Sequence, residues 1–193
     1  MCRIFSISLL MLMFVMPAFA HEILDNAQKL VEEGLQADAY HLLRPALLDP
    51  ENGNEDSLLD SGLGIAVMAL QILNRTEEID EFLESVAEVQ KNSWRALTSI
   101  AKQYHSIPGN GFVIDNQFRR GHGGGRIRGQ WINVADRDRI RALQLLNEAM
   151  PLAQSEVDQQ DTARLYQTLA DVLIQQPGGM GWRMQILTDI SAL

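Results

Sequence analysis

Cysteine is nearly absent: Cys2 is the only one in 193 residues, aromatic side chains make up 6%, and proline occurs six times. Positive charge is also scarce, with 16 Lys and Arg against 25 Asp and Glu and a formal net charge of −9. A lone cysteine excludes an internal disulfide and any cysteine metal cluster. The shortage of cations argues against non-specific nucleic-acid binding by the whole chain. The apolar fraction of 46% rules out wholesale disorder and suffices for one packed domain or a short array of repeats.

The first 20 residues have the layout of a secretory leader. Arg3 gives a basic start, residues 4–15 are nearly all apolar, and Pro17 precedes the small-x-small triplet Ala18-Phe19-Ala20. The run is short of the roughly 20 residues of a spanning helix. Cleavage after Ala20 is expected, giving an exported chain, periplasmic or extracellular, that begins at His21. Cys2 would leave with the leader, so no thiol chemistry and no stable membrane insertion are expected of the mature protein.

The remainder, 21–193, reads as a single all-α domain. Apolar residues recur at spacings of three and four: Ile23, Ala27, Leu30 and Val31; then Leu59, Leu63, Ala66, Val67, Leu70 and Leu73; then Ile79, Phe82, Leu83, Val86 and Val89. Trp94, Leu97, Ala101 and Tyr104 continue the series, followed by Ile140, Leu143, Leu146 and Leu152, and by Leu165, Leu169, Val172 and Leu173. Thr76, Ser93, Asp136 and Asp161 stand where helix N-caps are expected. Gly34 and Asn74-Arg75 mark tight turns, which predict antiparallel helix pairs. Gly34, Ala39, Ala46 and the following Asp49-Pro50-Glu51-Asn52 resemble half of a tetratricopeptide repeat, with Pro45 placed to kink the helix. Both a tetratricopeptide-like solenoid and an irregular bundle satisfy this pattern.

One long interruption, at about 108–135, holds seven of the 14 glycines together with Arg119, Arg120, Arg126 and Arg128. It is expected as an insertion between two paired helices, Trp94–His105 and Asp136–Ala153, with a short hairpin formed by Phe112–Ile114 and Arg126–Trp131. Phe112, Phe118 and Trp131 read as exposed. The charge map is uneven: residues 21–108 carry 6 basic and 16 acidic groups, whereas 109–147 carry 7 and 3. Arg forks suit carboxylate or phosphate. Arg119, Arg120, Arg126, Arg128 and Trp131 therefore form a candidate interaction loop, docking either on acidic helices of the same protein or on an external anion.

No catalytic, metal or cofactor site is read from the sequence. Gly121-His122-Gly123-Gly124-Gly125 contains an esterase-like HGGG string, but a G-x-S-x-G elbow is missing. His21, His41, His105 and His122 show no ligand spacing. An amino-terminal His21 has an amine and a ring suited to copper, without further assignable ligands. The run Glu77, Glu78, Asp80, Glu81 and Glu84 reads as a solvated helix face.

Phe112-Val113-Ile114-Asp115-Asn116-Gln117-Phe118-Arg119-Arg120-Gly121 and the helix from Asp136 to Leu146 combine with Gly181-Trp182-Arg183-Met184-Gln185-Ile186-Leu187-Thr188-Asp189-Ile190-Ser191 near the end. Together these phrases resemble the N-terminal helical region of large exported bacterial alpha-2-macroglobulin-like proteins. The resemblance implies a part of a protease-inhibitor assembly, leading into further domains. The β-sandwiches, bait region and thioester motif of that family have no counterpart here, and the ending at 188–193 reads as a truncation. The expectation is a non-enzymatic exported interaction module whose partner is a protein or downstream domains of a longer parent. The alternative is an independent periplasmic scaffold that binds peptides or envelope proteins.

Overall fold

The computed structural model describes residues 20–107, 109–114, 117–121, 130–154, 156 and 159–174. Residues 1–19 of the expected leader, His122, Arg126, Arg128 and the phrase Gly181–Ser191 lie outside these residues. The fold is all-α with one small sheet. Helix α1 spans 20–32, α2 Gln36–Leu47, α3 Leu63–Ile72, α4 Ile79–Val89, α5 Trp94–Ser106, α6 Ala135–Ala153 and α7 Gln159–Ile174.

The turns follow from two left-handed residues. Gly34 has φ 81°, with Leu35 N–H donating to Leu30 O at 2.8 Å and Gly34 N–H to Val31 O at 3.0 Å. Asn74, at φ 56°, repeats the pattern: Arg75 N–H donates to Leu70 O at 2.8 Å and Asn74 N–H to Gln71 O at 3.1 Å. Both are Schellman ends, in which a backward-turned residue satisfies carbonyls the helix leaves over.

Ser93 caps α5 as expected, its Oγ accepting from Ala96 N–H at 3.1 Å. The other three caps differ. Thr76 opens a 3-10 turn, Thr76–Glu78, and its hydroxyl donates instead to Arg120 O at 3.4 Å. Asp136 falls inside the first turn of α6, behind Val134, and Asp161 falls inside α7. Asp136 still lies in the first turn of α6, at the positive end of the helix dipole, so the signal there was displaced in position. Helix α2 continues through Pro45 to Leu47, and α3 is preceded by a π-turn, Leu58–Gly62. Gly62 is a close-approach position: a Cβ there would lie 3.0 Å from Leu58 Cδ1 and 3.4 Å from Leu43 Cδ2.

Helix α5 is the hub. Ala96 to Ala101 are all buried, as are Trp94 and Tyr104, because α3, α4, α6 and α7 each pack against it. Its hydroxyls are satisfied internally, Thr98 Oγ1 donating to Trp94 O at 2.7 Å and Ser99 Oγ to Asp60 at 2.7 Å. Leu43, Leu47, Leu63, Leu70, Ile79, Leu83, Leu143 and Leu146 complete the core. Val89 and Ile140, expected on apolar faces, are exposed instead.

Helices α5 and α6 run antiparallel. Trp94 and Arg95 at the start of α5 reach Glu156 just past α6, at 3.3 and 2.8 Å. At the other end, Val134 N–H donates to Gly109 O at 3.0 Å, so the ends of the insertion meet.

The insertion contains a three-stranded antiparallel sheet rather than a hairpin. Strands β1 (Asn110–Ile114), β2 (Gln117–Arg120) and β3 (Gln130–Asn133) are ordered β2-β1-β3. The expected hairpin joined 112–114 to 126–131; here β1 pairs with β3 over 130–133, with Phe112 opposite Trp131, and β2 was not anticipated. Strand β2 hides from a hydrophobicity pattern because its inward residue is an arginine.

Candidate functional site

Gly111 stands opposite both Arg120 and Ile132, and Val113 opposite Phe118 and Gln130. Strand alternation therefore puts Arg120, Phe118 and Ile132 on one face of the sheet. Arg120 uses that direction to enter the helical core, where its side chain keeps only 2% of its exposure. It donates to Asp138 through Nη1 and Nη2, both at 2.7 Å, and to Asp80 through Nε at 2.9 Å and Nη2 at 3.0 Å. One guanidinium thus binds two carboxylates, one from α4 and one from α6.

A second cation completes the cluster. Arg137 Nη1 donates to Asp80 Oδ1 and Asp138 Oδ1, each at 3.0 Å. The Phe118 ring lies 4.2 Å from Arg137 Cζ and 5.8 Å from Arg120 Cζ, contributing a cation–π contact to each. Gly111 is required here, since a Cβ would stand 2.5 Å from Phe118 Cε2. One turn along, Arg141 binds Glu84 at 2.7 and 2.8 Å, and the Tyr104 hydroxyl donates to Glu84 at 2.7 Å. The spacing explains the ladder: Asp80 and Glu84 are i, i+4 on α4, and Arg137 and Arg141 are i, i+4 on α6.

The protonation states are locked. Burial pushes the Asp80 carboxyl up, but hydrogen bonds and charge from Arg120, then Arg137, hold it below the usual range. Glu84 is likewise lowered, with burial opposed by Arg141 and Tyr104. Burial, and then the Glu84 contact, raise the Tyr104 phenol. For Arg120, burial lowers and the two aspartates raise, with a net upward shift. Every shift favours the state already held at neutral pH, the opposite of what a general acid or base needs.

Of the five residues expected to form an interaction loop, Arg120 follows the internal alternative: it is buried and engaged by Asp80 and Asp138 of the same chain. Arg119 is exposed on β2 and has no ion pair among the described residues. Trp131 stands opposite Phe112 on β3. Arg126 and Arg128 lie outside the described residues. Phe112 and Phe118 are half-buried rather than exposed. Asp80 and Glu84, read from sequence as solvated, are the missed partners; the matching i, i+4 pairs on α4 and α6 were the available signal.

A cleft of ≈ 370 Å³ adjoins the cluster, between the end of α3 and β2, with Asn74, Thr76, Glu77, Asn110 and Gly121 on its wall. Gly121, at φ 113°, lies against the Thr76 hydroxyl, where any Cβ would collide. Among the described residues no group of His, Cys, Asp and Glu is arranged to hold a metal ion, and no helix is long and apolar enough to cross a membrane. No family model, curated protein or solved structure matches the chain.

Proposed function

We propose that this protein is a non-enzymatic, exported helical interaction module, in which the helices are a frame and the inserted sheet is the presented element. The observation that carries the reading is the Arg120 clamp. The most chemically loaded constellation in the described structure is spent on fixing β2 to α4 and α6, with every charge neutralised by a neighbour. A buried arginine forked between two aspartates, with Arg120 and Asp80 each favoured in the charged state, is the arrangement of a structural tie.

The outer face of the sheet then meets the partner. Arg119, Phe112 and Trp131 stand in one row across its three strands. The partner is a protein, either further domains of a longer parent, as the resemblance to alpha-2-macroglobulin-like proteins implies, or an envelope protein. A photo-crosslinking residue at Arg119, in the exported chain, tests this against the same residue at exposed Lys29 on α1. One discrete adduct from position 119 and none from position 29 is expected. Turnover of ester, peptide or glycoside substrates by the purified chain, abolished by Asp80→Asn, would contradict the reading.

A further inference from the structure

A second cleft, of ≈ 240 Å³, lies between α2 and α4 and is lined by neither Asp80 nor Arg120. Its walls follow from helix periodicity. Tyr40, His41 and Arg44 fall within about one turn of α2. Opposite them Glu78, Glu81, Phe82 and Ser85 recur at spacings of three and four into α4, which places them on one face. The volume is below the roughly 300–1,000 Å³ of sites for drug-sized ligands, so the cleft suits a small solute.

Charges of both signs line this space without closing on each other. Arg75 and Glu78 are already matched, Nε donating to Oε1 and Nη2 to Oε2, both at 2.6 Å, with Arg75 Cζ 5.4 Å from the Tyr40 ring centre. Arg44 and Glu81 are exposed, and neither makes an ion pair among the described residues. A guanidinium and a carboxylate thus stand apart on opposite walls. Tyr40 lies with them, only 4% exposed, its ring held edge-on to Phe82 at 5.5 Å. Burial raises the Tyr40 phenol above its ordinary value, against the charge and hydrogen bond of Arg44, so the hydroxyl keeps its proton. That hydroxyl accepts from Arg44 and has no acceptor of its own among the described residues. A buried donor left unanswered is costly, and a ligand oxygen would remove the cost.

We propose that this cleft binds a small free α-amino acid, with its carboxylate on Tyr40 and Arg44 and its ammonium on Glu81. A guanidinium fork matches the geometry of a carboxylate, and the phenolic O–H supplies a further donor beside it. Glu78 and Glu81 disfavour a multiply charged anion such as phosphate through like-charge repulsion. A simple amine, conversely, leaves the Tyr40 donor and Arg44 unanswered. A zwitterion satisfies both walls at once.

Titration of the full chain with glycine, L-alanine and L-leucine tests the proposal, read by calorimetry and by nuclear magnetic resonance of His41 and Arg44. Saturable binding of at least one of them is expected, weakened about tenfold or more by Arg44→Gln and by Glu81→Gln. Both side chains are exposed, so these variants are expected to melt with the parent chain. Acetate, alaninamide and inorganic phosphate each lack part of the zwitterion and are expected to bind about tenfold or more weakly than the best amino acid. Absence of saturable binding by all the amino acids tried would overturn the proposal. So would equal binding of acetate or phosphate, which would assign a plain anion site, or equal binding of alaninamide, which would assign an amine site. Amino-acid binding indifferent to Glu81→Gln would overturn it as well.

Discussion

Arg120 sits in the core with two carboxylates, and removing it leaves both without their main counter-charge. Breaking one side of a buried ion pair is costly because the remaining charge has neither water nor partner. Arg120→Gln is expected to lower unfolding stability by about 3 kcal/mol in urea denaturation, at the lower end of that range because Arg137 still reaches both aspartates. Arg120→Lys is expected to rescue little, since an ammonium cannot make the four forked bonds. The pH dependence has a definite sign. The native Asp80 carboxyl titrates below its unfolded counterpart, so its contribution is complete above about pH 4 and is lost as pH falls through the native value. Arg120→Gln should flatten that acid-side decline, and stability measured from pH 3 to 7 checks it. Tyr104→Phe removes one bond to a half-exposed carboxylate and should cost only about 1 kcal/mol.

Among the elements, the helices and their turns were legible in the sequence and the sheet was not. Leu63, Ala66, Val67 and Leu70 are buried as their spacing required, and Gly34 and Asn74 mark the left-handed ends. These signals are local, so a single chain displays them. Gly34 has open space around it, which makes it a clean probe: Gly34→Ala should destabilise by about 1 kcal/mol through backbone strain alone, with Asn74→Gly neutral or stabilising. Thermal melts would register both. Strand β2 escaped because Gln117-Phe118-Arg119-Arg120 sends a charged residue inward, and its compensation lies 40 residues back at Asp80 and 18 ahead at Asp138. Asp80 was misread for the same reason. Its helix face looked solvated only because the arginines that cover it come from β2 and α6.

At the scale of the whole molecule, the Arg120 clamp is a principal tie between the helices and the sheet among the described residues. The ends of the insertion already meet at Gly109 and Val134, so replacing 110–133 with a short Gly/Ser linker should preserve helical circular dichroism and a cooperative melt. Stability should nonetheless fall, because Asp80 and Asp138 lose Arg120. Adding Asp80→Asn and Asp138→Asn to the excision should recover part of the loss, since neutral amides are far cheaper to bury than carboxylates. The most direct test of the clamp is residue-resolved amide exchange in Arg120→Gln. If Arg120 fixes the sheet to a frame that stands without it, amides of β1 and β2 lose protection while those of α5 and α6 keep theirs. Unchanged protection in the sheet, or loss of both together, would contradict it.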